Sequence, residues 1–142
     1  MCTVARSLIG GLVILVASAA FAQNSQVQNG PTACGHLVPR PSMLPPASSG
    51  PVVYLIVPCF EAQPNKPASS FATYLSYIQL HPSRPSLDEW VPYDEDAKRT
   101  IQDDFRRLWG SGLLRELNID VRDYTFANGV VGKLVIYNMQ DR

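Results

Sequence analysis

The sequence predicts an α+β fold with elements in the order strand, helix, short helix or turn, strand, strand, and three observations carry that prediction. Ala97, Ile101, Phe105, Leu108 and Trp109 recur at spacings of three and four, the stripe of an amphipathic helix. Leu117, Ile119 and Val121 alternate with Asn118, Asp120 and Arg122, as in a strand with one buried and one wet face. After Asn128-Gly129, a strong hairpin signal, Val130 to Met139 is apolar on both faces, which suits a central strand.

From the N-terminus, the first 22 residues read as a secretory signal. Arg6 is the positive lead, Leu8 to Ala20 is an uncharged apolar run, and Ala20-Phe21-Ala22 offers the small-x-small cleavage pattern. The apolar run is shorter than the roughly 20 residues that a membrane span needs. Residues 23–50 are rich in Pro, Ser and Asn and are read as an extended or disordered spacer. Only Arg40, Glu61 and Lys66 are charged between Gln23 and Pro82, whereas 11 of the 12 acids lie from Asp88 onward. That shift separates a thinly charged front from a normally patterned domain. Export leaves Cys34 and Cys59 together in an oxidising compartment, either bridged to each other or as free thiols.

Residues 51–70 form an extra strand and a loop: Val52 to Val57 is β-branched and aromatic, closed by Pro58. It either lies beside the next strand or is itself the first strand of the domain. Tyr74 to Leu80 is the second strand prediction, and Pro82 and Pro85 keep the next few residues out of helix. The helix then starts near Asp94. Its outer face carries the acid-before-base pairs Asp94–Lys98, Glu95–Arg99 and Asp103–Arg107. Asp103 and Asp104 are placed on that solvated face, and Phe105 and Trp109 in the core. Gly110 or Gly112 stops the helix, and Leu113 to Leu117 supplies a short second helical turn.

The segment Phe105-Arg106-Arg107-Leu108-Trp109-Gly110-Ser111-Gly112-Leu113-Leu114, followed by Leu117-Asn118-Ile119-Asp120-Val121, carries a resemblance. With Asn128-Gly129-Val130-Val131-Gly132-Lys133 and the closing Asn138-Met139-Gln140-Asp141-Arg142, it resembles the POTRA repeat of BamA-type outer-membrane protein assembly factors. Asp141-Arg142 stands where that family has Glu-Arg. The chain departs from the family in having leucine after the glycine, and Pro82-Ser83-Arg84-Pro85 after the first strand, where a glycine is usual. The resemblance covers residues 71–142. It implies a βααββ fold, two helices on a three-stranded mixed sheet with the last strand central. It also implies a periplasmic module that binds unfolded outer-membrane protein precursors and assembly lipoproteins by edge-strand addition. The strand expected to form that edge is Leu117, Asn118, Ile119, Asp120, Val121, Arg122 and Asp123. Nothing here supplies a membrane barrel, so the chain reads as a fragment of a longer protein associated with the outer membrane, or else as a stand-alone single repeat.

Other classes find little support. Balanced charge, with 12 basic and 12 acidic residues, gives no field for nucleic acid. His36 and His81 have no ligand spacing with the cysteines, so no metal or other cofactor is expected. No nucleophile, Walker or zinc motif occurs, so no catalytic residue is assigned. The competing reading is a small exported α+β envelope or inhibitor domain unrelated to barrel assembly.

Overall fold

A computed structural model describes residues 30–60 and 71–142. The signal sequence read over residues 1–22, the start of the spacer and the loop at 61–70 lie outside them. In chain order the elements are β1 (Thr32–Ala33), β2 (His36–Leu37), β3 (Val52–Phe60), α1 (Phe71–Leu75), β4 (Val91–Pro92), α2 (Glu95–Gly110), β5 (Leu114–Thr125) and β6 (Val131–Asp141). The main sheet runs β4-β3-β6-β5, with β6 parallel to β3 and antiparallel to β5. Leaving aside the short β4 and the β1–β2 hairpin, this is a β-α-α-β-β chain on a mixed sheet with its last strand inside.

Its parts differ from the sequence reading at three places. Tyr74–Leu80 is not a strand, and of the two readings left open for Val52 to Val57 the structure takes the second, as part of the first long strand, Val52–Phe60. Phe71–Leu75 is a short helix, and Tyr77 and Ile78 donate back to the carbonyls of Tyr74 and Leu75. Residues 113–117 are not helical. Gly112 adopts φ +71°, a left-handed turn that a glycine tolerates, and sends the chain straight into β5. Both helices therefore precede Gly112. The sheet also gains a fourth, two-residue strand: β4 covers Val52 and Val53 at the β3 edge. Pro85 opens a single 3-10 turn, where its missing N–H costs nothing.

Strand β6 has a different core on each face. Val135, Tyr137 and Met139 join Val53, Leu108, Leu114 and Leu117 under α2. Leu134 and Ile136 join Val52, Tyr54, Phe126 and Val130 on the opposite face. Leaving that second set in water would forfeit roughly 1.5–3 kcal/mol for each large side chain. The segment read as a free spacer covers it instead. Residues 30–50 lie across this face as a strap that buries Ala33, Val38 and Pro45. Its prolines fix an extended backbone cheaply, and its few polar side chains leave an apolar underside.

The strap is tied at both ends and in the middle. Cys34 is joined to Cys59 of β3 through their sulfurs, with Cα atoms 5.6 Å apart. Asn128 Nδ2, in the β5–β6 turn, donates to the Pro45 carbonyl at 2.6 Å. Between them, Tyr54 Oη donates to the Pro39 carbonyl at 2.5 Å. Gly132 lies directly beneath this cluster, and a Cβ there would stand 2.8 Å from the Phe126 ring and 3.0 Å from Tyr54 Cβ. Only glycine allows that approach.

Burial, and then the nearby Tyr124, push the Tyr54 phenol from its ordinary 10.0 up to about 12. A pKa raised on folding means that the folded state holds this proton more tightly. The resulting stability is fully present below pH 10 and is lost as pH rises toward 12. Chemical denaturation across that window should show a falling midpoint, with a shallower fall in Tyr54→Phe. An equally steep fall in the variant would remove Tyr54 as a cause.

Candidate functional site

The helix under the sheet sets the site. Asp94 caps α2, its side chain accepting from Ala97 N at 2.9 Å, and Glu95 and Asp96 sit in the first turn. The surface ion pairs form at three-residue spacing: Lys98–Glu95, Arg99–Asp96 and Arg106–Asp103. The four-residue pairs read from the sequence do not form, because Asp94 is occupied as the cap and each base reaches the nearer acid.

The buried stripe of α2 is Ala97, Ile101, Asp104 and Leu108. Asp104 is fully buried, contrary to its placing on the solvated face. Phe105 and Trp109 are exposed, contrary to their placing in the core, and stack on each other with ring centroids 6.4 Å apart. Each stands one residue, about 100° of helix rotation, beyond Asp104 and Leu108.

Asp104 has a dense set of donors. Gln79 N donates to Oδ1 at 2.8 Å, Leu80 N to Oδ2 at 3.2 Å and Tyr137 Oη to Oδ2 at 2.8 Å. Arg107 completes the set with an ion pair, and its Nε donates to the Tyr77 carbonyl at 3.1 Å. Burial raises the Tyr137 phenol well above its ordinary range, helped by the hydrogen bond to Asp104 and that residue's charge. The cluster is closed on itself. It anchors the 77–80 connection, whose backbone finds a carboxylate in place of a neighbouring strand, and it fixes the height of α2 above β6.

That placement opens a groove between α2 and β5. Ile101, Gln102, Phe105 and Arg106 form its helical wall, and Asn118 and Ile119 its sheet wall, around a space of about 370 Å³. Among the described residues the strand beside it is an edge: β5 pairs with β6 on one side and with no strand on the other. Leu117, Ile119 and Val121 face the helix layer, while Asn118, Asp120 and Arg122 face away from it. Asp123 pairs with Lys133 at 2.5 Å. All seven residues expected on the edge therefore lie on one continuous strand. The other edge is obstructed, since β4 pairs with the start of β3 and Pro58, further along it, has no N–H to offer.

Among the described residues no three His, Cys, Asp or Glu side chains gather as a metal set. His36 and His81 are exposed and apart from the groove.

The described residues thus form an α+β domain of two helices on a mixed sheet with one long open strand edge. No family model and no curated protein matches the chain. Two solved structures are similar to it. The POTRA1-3 region of the periplasmic domain of Omp85 from Anabaena is 17% identical, with a TM-score of 0.43, over 68% of this chain and 35% of that one. The N-terminal domain of Omp85 from the cyanobacterium Thermosynechococcus elongatus is 18% identical, with a TM-score of 0.39, over 68% of this chain and 36% of that one. The chain therefore spans about a third of the length of either structure.

Proposed function

We propose that this chain is an exported polypeptide-binding module of outer-membrane protein assembly machinery. In this reading it works in the periplasm, and its β5 edge takes up precursor strands or assembly lipoproteins by strand addition. A membrane barrel outside this sequence would hold it to the outer membrane. The observation that carries the reading is the asymmetry of the sheet: β5 is open along its length beside a groove, while the opposite edge is blunted. An extended chain laid on β5 gains backbone hydrogen bonds whatever its sequence, which suits many clients. Its alternate side chains would enter the groove against Phe105 and Ile119. A client strand with alternating apolar and polar residues fits both faces.

The test uses a peptide with the alternating pattern of a barrel strand and follows backbone amide shifts of the full chain. Shifts should concentrate in residues 117–123. Replacing Ile119 or Val121 by proline should weaken binding roughly tenfold or more, with the melting transition retained. Should the proline variants fail to fold, Phe105→Asp, on an exposed groove wall, addresses the same site. Unchanged peptide affinity in a folded proline variant and in Phe105→Asp would end the edge-strand reading.

A further inference from the structure

The edge strand is complementary to itself. Written from Glu116, it reads Glu116-Leu117-Asn118-Ile119-Asp120-Val121-Arg122, and reversed it offers Arg122 opposite Glu116, Asn118 opposite Asp120 and an aliphatic residue opposite each aliphatic one. We propose that a second copy of this chain docks on β5, antiparallel, about a twofold axis through Ile119. This rests on the open edge of the preceding reading but names a different occupant for it.

In that register Glu116 lies opposite Arg122 of the other copy, Leu117 opposite Val121, Asn118 opposite Asp120, and Ile119 opposite itself. Directly opposed residues share a sheet face. The three aliphatic pairs therefore continue the helix-side layer of both copies, and the two Glu–Arg pairs lie together on the other face. Those charged side chains are accessible. Glu116 and Arg122 are exposed and line an open concavity on that face. Arg122 already leans along its own strand to Asp120, at 2.8 Å, and its side chain remains 56% exposed.

Neighbouring registers are worse. Sliding two residues one way opposes Glu116 to Asp120, and sliding two the other way opposes Asp120 to itself. A one-residue slide sets Leu117 opposite Asp120 or Arg122, which puts the two helix layers on opposite sides of the joint sheet. Like charges directly opposed are destabilising, and opposite charges contribute favourably. The chosen register also sets both α2 helices on one side of the joint sheet. Each Phe105–Trp109 stack, 39% and 47% exposed, then stands along the seam between them. A closed twofold contact uses up both edges and stops at two copies.

Sedimentation of the full chain, recovered from an exporting host, tests this. Wild type should sediment as a dimer that dissociates on dilution and with added salt. Arg122→Glu alone, or Glu116→Arg alone, should halve the mass, while the double exchange Glu116→Arg with Arg122→Glu restores the dimer. Circular dichroism on each variant separates loss of pairing from loss of fold. If a single variant unfolds, an Ile119→Cys chain tests the same register, because symmetry-opposed cysteines there should crosslink on oxidation. A wild-type monomer at every concentration, or a dimer indifferent to both single charge reversals, overturns the proposal. A monomer that still takes up the barrel-strand peptide on β5 ends this inference alone. A dimer with these charge effects that ignores the peptide ends the preceding reading alone.

Discussion

Replacing Asp104 by alanine should cost about 3–5 kcal/mol of stability, a large share of what a domain of this size has. The change leaves two backbone N–H groups, at Gln79 and Leu80, and the Tyr137 hydroxyl without their acceptor. Each buried group left unpaired costs about 1–3 kcal/mol. The same change strips Arg107 of its counterion. Asp103 provides the internal control: its side chain is 52% exposed and pairs with a 72% exposed Arg106. Asp103→Ala should shift stability by no more than about 0.5 kcal/mol. Urea unfolding of the two variants, one residue apart on the same helix, reads the contrast directly. Equal effects would mean that the buried carboxylate organises nothing. Asp104→Asn should fall between them, since its amide keeps one acceptor oxygen but turns an N–H₂ toward existing donors.

Asp104 also shows where the sequence was legible and where it was not. The helix limits and the hairpin at Asn128-Gly129 follow from cap and turn residues, and the alternation of β5 and the double-faced β6 follow from periodicity, because burial there is set by position along one element. The structure adds the loop form: Gly129 takes φ +86° and donates to the Phe126 carbonyl at 2.9 Å, closing a four-residue turn. What periodicity of apolar residues alone missed was a polar residue at a buried position. Ala97, Ile101, Asp104 and Leu108 have the four-three-four spacing of a buried stripe. An acid at the third of these positions was the signal that Phe105 and Trp109 lay off-centre. Tyr74–Leu80 departs from its strand prediction for the complementary reason. Its composition suits a strand, but the hydrogen bonds of Gln79 and Leu80 go to a side chain 25 and 24 residues away, which no local pattern displays.

The front of the chain differs from its spacer reading for a more general reason. Low charge and many prolines mark a segment that cannot fold alone, yet they do not say whether another surface will hold it. Here β6 created the need. A central strand with apolar residues on both faces requires two covers, and among the described residues the one pair of helices covers a single face. The cover for the second face had to come from elsewhere in the chain, and Ala33, Val38 and Pro45 supply it.

Cys34 and Cys59 should hold that cover in place. Replacing both by serine should lower stability by about 3–4 kcal/mol, the loop-closure entropy of the 25-residue span between them. The loss should also have a location. The strap would keep the hydrogen bonds of Tyr54 and Asn128 as ties to the sheet and turn but lose its covalent one, so the face beneath it should open before the helical face does. Hydrogen exchange should quicken on the strap while the amides of Gln79 and Leu80, held by Asp104, stay protected. A dye that reports exposed apolar surface should bind the variant as Tyr54, Phe126, Leu134 and Ile136 become accessible. Mass analysis of the exported chain under non-reducing conditions should find the two cysteines in one linked peptide. Free thiols in that chain, or a double-serine variant whose strap exchanges no faster than wild type, would show that the prolines and apolar contacts hold the strap without the bond. The groove between α2 and β5 should be unaffected in either case, because the strap lies against the opposite face of the sheet. A serine variant that loses stability yet keeps its full β5 binding would separate the strap's structural work from the site itself.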